Sequence, residues 1–151
     1  MMIKRTIFLC ISAALITSAL AGDFDREIKA RQSFMQVLAY NNGLLAGMAR
    51  GKVPYDGELA QIAAMNLKLA SQMNMSSVWV AGSDMGVAGN DTKTKAELWS
   101  TWPQAGTYLG DLGNASVALD AVAGMGLDQM KAALMDVGKA CSACHKKFRA
   151  K

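Results

Sequence analysis

The chain is predicted to be all-α, an antiparallel bundle of four helices, on three observations. Apolar residues recur at three- and four-residue steps in four separate stretches, most of the joints between them are short and carry Gly or Pro, and no stretch alternates convincingly as a strand would. Four amphipathic helices with short connections bury their apolar stripes most simply against one another, with cofactor sites between facing helices.

Residues 1–21 stand apart from that pattern. Lys4 and Arg5 precede an apolar run that ends in Ala19-Leu20-Ala21, the layout of a secretory signal peptide that is removed on export. The run is too short, and too cleanly followed by small residues, to be read as a membrane span. Cleavage is expected to leave a chain starting at Gly22, so residues 22–151 form one domain in the periplasm. Cys10 lies inside the apolar run and leaves with it, so the mature chain keeps only Cys141 and Cys144.

The full sequence carries 16 basic and 12 acidic residues, and the signal removes Lys4 and Arg5 but no acid, leaving 14 against 12. A surplus of two is too small for a nucleic-acid surface, so no nucleic-acid partner is expected. Part of the basicity sits in Lys146, Lys147, Arg149 and Lys151, where cations near a helix C-terminus complement the helix dipole.

The first helix is expected from about Asp25 to Arg50, with Ile28, Met35, Leu38, Leu45 and Met48 on its apolar stripe and Gly51 as its stop. After Val53-Pro54-Tyr55, Asp56 is placed to cap a second helix reaching about Met75, whose apolar face is read as Leu59, Ile62, Leu69 and Met73. Residues 76–95 are rich in Gly, Ser, Asp and Asn and read as the one long loop. The third helix is expected to begin near Trp102 or Pro103, to carry Tyr108, Leu112, Ala115, Leu119 and Val122, and to end at Gly124 and Gly126. The fourth repeats the rhythm through Met130, Leu134, Val137, Cys141, Cys144 and Phe148.

Chemistry is concentrated in Cys141-Ser142-Ala143-Cys144-His145. On a helix the two cysteines are three residues apart and His145 is four from Cys141, so all three side chains emerge on one side. That arrangement lets two thiols form thioethers to haem vinyl groups while the imidazole reaches the iron, which is why CxxCH reads as attachment of one haem c. His145 is then the metal ligand. A redox-active CxxC would need a βαβ setting that the chain does not offer, and a disulfide would leave the adjoining histidine without a purpose. Zinc ordinarily takes four such ligands, and three are present.

His145 is the only histidine, so a second imidazole from the same chain cannot fill the sixth iron position. Methionine, lysine, an exogenous ligand or nothing remains. Most methionines here lie at helical spacing and read as core filler, with Met35 the one to weigh as a ligand.

In these respects the sequence resembles the class II cytochromes c, and among them the cytochromes c′. The resemblance spans the mature chain. It is carried by Arg31-Gln32-Ser33-Phe34-Met35, by Gly51-Lys52-Val53-Pro54-Tyr55-Asp56, by Glu97-Leu98-Trp99, and by Asp136-Val137-Gly138-Lys139-Ala140 leading through CxxCH to Phe148-Arg149, in the family's order and spacing. It is weakest from Ser83 to Thr94. The resemblance implies a left-twisted four-helix bundle, usually a homodimer, whose haem is pentacoordinate and high-spin beneath a distal face closed by side chains. Residue by residue, it implies that Met35 covers the distal face, that Arg31 and Gln32 lie beside the haem propionates, and that Arg149 follows the proximal His145. Helical spacing independently puts Arg31 and Met35 together, four residues apart.

Two functions follow from that likeness. If the Met35 sulfur stays off the iron, the site admits only small uncharged ligands such as nitric oxide and carbon monoxide. If it binds, the protein is a low-spin carrier of electrons to periplasmic redox partners, because a His/Met pair raises the haem potential. The Arg-Gln-x-x-Met run favours the first. Peroxide chemistry would want a distal acid–base group such as histidine, and the single histidine is committed to the proximal side, so an enzyme is not expected.

Overall fold

The structure, a computed structural model, describes residues 23–151; the expected signal peptide lies outside the described residues. The first helix, α1, spans Asp25–Ala49, with Asp25 and Glu27 placed in its first turn where they favour the helix dipole. Gly51 ends it as the sequence implies. At φ 66° Gly51 adopts the left-handed conformation, and the Gly51 and Lys52 amides donate to the Met48 and Gly47 carbonyls at 3.0 and 2.9 Å. That pair of bonds is a Schellman motif, which satisfies carbonyls the helix end would otherwise leave open.

Asp56 caps α2, Gly57–Ser71, its carboxylate accepting the Leu59 amide at 3.0 Å. The face of α2 turned inward is not the expected one. Ala60, Ala63, Ala64, Leu67 and Ala70 are buried, whereas Leu59, Ile62, Leu69 and Met73 are exposed, Met73 by 59%. Alanines let α2 approach its neighbours closely, and close packing of small residues outweighs the larger side chains on the opposite face. The helix is also shorter than expected, ending at Ser71; a single 3-10 turn, Ser76–Val78, lies beyond it.

A four-residue helix, α3 (Glu97–Ser100), precedes α4, Gln104–Asp120, which starts one residue past Pro103. Leu112 and Leu119 of α4 are buried, and the chain then turns through Ala123 to Gly126. The last helix, α5, spans Leu127–Phe148 and buries Met130, Leu134, Val137, Ala140 and Phe148. The four long helices form a ring in which α1 packs on α2, α2 on α4, α4 on α5 and α5 back on α1. This is the four-helix bundle read from the sequence.

The main core runs from Met48, Ala60, Ala123 and Met130 along the bundle to Leu38 and Ala140. Leu45, Leu67 and Leu119 are at most 1% exposed, and full burial of one such side chain is worth about 1.5–3 kcal/mol. Where α2 follows α1 and α5 follows α4, side chains stitch the helices. Tyr55 donates from Oη to the Ala123 carbonyl at 2.7 Å, Gln61 donates to the Asp120 carbonyl at 2.9 Å, and Lys68 pairs with Asp120. At the opposite end Leu98, Ala105 and Phe148 form a smaller cluster. Among the described residues no helix is long and apolar enough to cross a membrane.

Candidate functional site

At the end of the bundle away from those stitches the four helices do not close on one another. They enclose a cavity of about 600 Å³ walled by α1, α2, α4, α5 and residues 92–94. Its surface is chiefly apolar, with Leu38, Leu67, Leu112, Val137 and Phe148 among its walls. The volume and lining are those of a small-molecule or cofactor site.

Every residue singled out from the sequence lies on that one cavity: Arg31, Gln32 and Met35 from α1, Cys141, Cys144 and His145 from α5, and Arg149 just beyond it. The α5 residues reach it because Val137, Cys141, Cys144 and Phe148 follow the helical repeat of the buried stripe. Burial raises both thiols above the ordinary cysteine value, Cys144 further through its neighbour Cys141, so they stay neutral. Burial, with the Arg149 charge beside it, lowers the His145 value. Its imidazole therefore remains uncharged, as metal ligation requires, to a lower pH than an exposed histidine would.

Arg31 is the residue whose surroundings differ most from an ordinary surface arginine. It is 3% exposed and donates from Nη1 to the Val78 carbonyl at 2.8 Å and to Ser83 Oγ at 2.5 Å, and from Nη2 to the Ser83 carbonyl at 2.8 Å. The guanidinium carbon sits 5.2 Å from the Trp79 ring centroid and 5.7 Å from that of Trp99. Trp99 in turn donates its indole N–H to the Trp79 carbonyl at 2.9 Å, which fixes the two rings together. Burial lowers the Arg31 value, with Glu27 opposing, yet a guanidinium remains charged in proteins. Its hydrogen-bond partners are all neutral.

A buried cation held only by neutral groups, on the wall of an apolar cavity, suits an anionic ligand edge. A second orphan points the same way. The indole N–H of Trp79 is buried with no partner among the described residues, and Trp79 lines the cavity beside Arg31. Gln32 completes this edge, its amide donating to the Asp91 carbonyl at 2.8 Å. An apolar slot with two thiols and an imidazole on one wall and carboxylate-seeking donors at one edge fits a porphyrin bearing propionates.

Sequence reasoning missed Trp79, Ser83 and residues 92–94. The loop that carries them is ordered by its own bonds: Asn90 donates to the Gly82 and Asp84 carbonyls, and the Met85 amide to the Thr94 carbonyl at 2.8 Å. Thr94 then bridges antiparallel to Arg149, with Lys95 donating to the Phe148 carbonyl at 2.9 Å and Ala150 to the Lys93 carbonyl at 2.8 Å. Two tryptophans, Trp79 and Trp99, bracketing a segment with three glycines were the only local signal that it folds back onto the site.

Known proteins resemble this chain along nearly its whole length. A sequence model of the cytochrome C′ family matches residues 26–149. A cytochrome c′ of Cereibacter sphaeroides is 30% identical over 151 residues, covering 98% of this chain and 99% of its own. A cytochrome c-554 from Cereibacter sphaeroides is 31% identical over 131 residues, covering 87% of this chain and 98% of its own. Among solved structures, a cytochrome c′ from Rhodobacter sphaeroides superposes with a TM-score of 0.82 at 29% identity, covering 86% of this chain and 99% of the other. The cavity, the CxxCH on its wall and these matches agree on one conclusion: the chain belongs to the cytochrome c′ family, whose members carry one covalently attached haem c.

Proposed function

We propose that this protein is an exported, periplasmic monohaem cytochrome in which Cys141 and Cys144 form the two thioethers and His145 is the proximal ligand, with Met35 covering the distal face without binding the iron. Haem in this setting supplies reversible ligand binding and one-electron exchange. The chain's own part is to hold, orient and enclose it. Arg31, Gln32 and Arg149 surround its polar edge, and α1 presents Met35 to the same cavity as His145. The single observation that carries the reading is that the one histidine and the two cysteines lie on one wall of a single cavity with Met35 on another. No further imidazole exists to occupy the sixth position or to serve peroxide chemistry, so small uncharged gases such as nitric oxide and carbon monoxide are its ligands, and it is not an enzyme. A related cytochrome c′ from Alcaligenes xylosoxidans has been solved, as a variant, with nitric oxide bound.

A homodimer belongs to the same proposal. Leu59, Ile62, Met65 and Leu69 of α2, Met73 just past its end, and Val37 and Tyr40 of the adjoining α1 are exposed apolar side chains that a second copy would cover. Another related cytochrome c′ is described as showing ligand-controlled dimer dissociation. Sedimentation at micromolar concentration is expected to give twice the chain mass.

The spectrum of the purified protein tests the haem reading. The ferrous form is expected to be high-spin and to take up carbon monoxide, and Met35→Ala should speed that uptake roughly tenfold or more, as opening a crowded pocket by a few ångströms lowers the barrier by at least about 1.4 kcal/mol. A methionine-to-iron charge-transfer band that disappears in Met35→Ala would establish instead the low-spin electron carrier, a reading supported by Met35 lining the cavity.

A further inference from the structure

Beside the large cavity lies a second, smaller hollow of about 260 Å³, between the segment that follows α2 and the start of α4. Trp79, Leu109 and Leu112 line both hollows and stand between them. The other walls of the smaller one include Met73, Met75, Trp102 and Gly106.

Those two methionines are unusual in this chain. Residues 22–151 keep nine of the eleven methionines, since Met1 and Met2 belong to the signal, and no other two of the nine lie within four positions of one another. A methionine ordinarily fills irregular core. Met73 is 59% exposed and Met75 only partly buried, so core filling does not account for the pair. The backbone that carries them is not helical. Past the end of α2 at Ser71 the Met73 amide donates to the Ala70 carbonyl at 3.0 Å, and Asn74 Oδ1 accepts the Ser76 amide at 3.1 Å. The turn held by these bonds brings both thioethers to one hollow.

No carboxylate, imidazole or thiol lines that hollow, so it offers nothing to zinc, calcium or magnesium. Two thioethers are soft, uncharged donors, and they select a soft monovalent ion such as Cu(I) over hard dications. An indole face attracts such a cation in its turn. Trp79 already has the Arg31 guanidinium 5.2 Å from its ring centroid, which leaves the role to Trp102. That ring is 47% exposed and lies against Gly106, 3.7 Å from where a Cβ would stand there, and among the described residues no cation is placed over it.

From this we propose that Met73 and Met75 form a second metal site, separate from the haem, which binds one Cu(I) through both sulfurs with the Trp102 ring against it. The site does not depend on the haem reading above. Met73 also ends the apolar stripe assigned to a second copy of the chain, so in a dimer the metal sits at the margin of the shared face.

Titration of the haem-loaded protein with Ag(I), a redox-inert stand-in of the same charge and softness, and with Cu(I) kept reduced by ascorbate without oxygen, tests this. Equilibrium dialysis is expected to give one Ag(I) per chain and no comparable uptake of zinc. Met73→Leu and Met75→Leu keep volume and apolar character, so association is not what they change, and each should weaken binding at least about tenfold by removing one of two donors. Met85→Leu and Met135→Leu, equally exposed but elsewhere, should change it less than about twofold. Trp102→Leu should weaken it roughly two- to fivefold, the effect of a cation–π contact at an exposed ring. In wild-type protein with labelled methionine methyl groups, Ag(I) should shift two methyl resonances and leave the others, a count that does not rest on the folding of any variant. Uptake that falls equally in all four methionine variants, or that survives in Met73→Leu/Met75→Leu, would overturn the site as scattered surface affinity. Loss of the bound Ag(I) in Met35→Leu with Met73 and Met75 intact would move the metal to the haem cavity and overturn it as well.

Discussion

The two ends of the bundle are built from the same four helices and solve the burial problem in different ways. At the end where α1 turns into α2 and α4 into α5, Ala60, Ala63, Ala64 and Ala123 are completely buried and the helices close on one another, stitched by Tyr55, Gln61 and Lys68. At the other end the walls carry leucines, yet about 600 Å³ lies between them, and a buried cation and an indole N–H face that space. One end is complete as protein. The other is completed by what it holds, so side-chain substitutions should act through packing at the first and through the cofactor at the second.

The largest effect should come from removing the attachment at the open end. Cys141→Ala with Cys144→Ala is expected to abolish covalent haem entirely, seen as haem extractable by acidified acetone and a protein mass lacking the haem increment. At the closed end, Leu45→Ala should cost about 2–5 kcal/mol in denaturant unfolding, because the methyl groups removed leave a void in a site with 0% exposure, while the haem spectrum stays as in the wild type. A spectrum that changed along with stability would break the division between the ends. Arg31→Met should cost about 2 kcal/mol, the loss of hydrogen bonds from a charged donor, and faster amide exchange should be confined to residues 76–95, which Arg31 ties down. The smallest effect is expected from Asp56→Ala, about 1 kcal/mol from loss of the α2 cap, with ligand uptake unaltered.

What could be read from the sequence followed how local the information is. The Gly51 stop and the Asp56 cap are each written within five residues and stand in the structure as expected, and the CxxCH, equally local, has its three side chains on the wall of one cavity. The Arg31 to Met35 step needed only a helix. The orientation of α2 was misread because periodicity ranks Leu59, Ile62 and Leu69 above Ala60, Ala63 and Ala64; which face goes inward depends on how near the neighbouring helices must come, a property of the assembled bundle. Trp79, Ser83 and Lys93 escaped for a different reason. Ser83 meets Arg31 across 52 positions, and the strand-like pairing of residues 93–95 has its partner more than fifty residues later, so no local pattern announces it. The signal peptide was read from the order of a basic pair, an apolar run and small residues, and residues 1–22 lie outside the described structure.

The bridge between Thr94 and Arg149 also bears on the order in which the molecule is made. A chain grows from its N-terminus, and residues 92–94 emerge long before residues 148–150, to which they are hydrogen-bonded. Until that later segment arrives, the wall formed by Thr92, Lys93 and Thr94 has no backbone partner there. The segment that carries the thiols at 141 and 144 and the histidine at 145 is the same one that supplies that partner. The residues that latch the entrance directly follow, in sequence, those that would bind what passes through it.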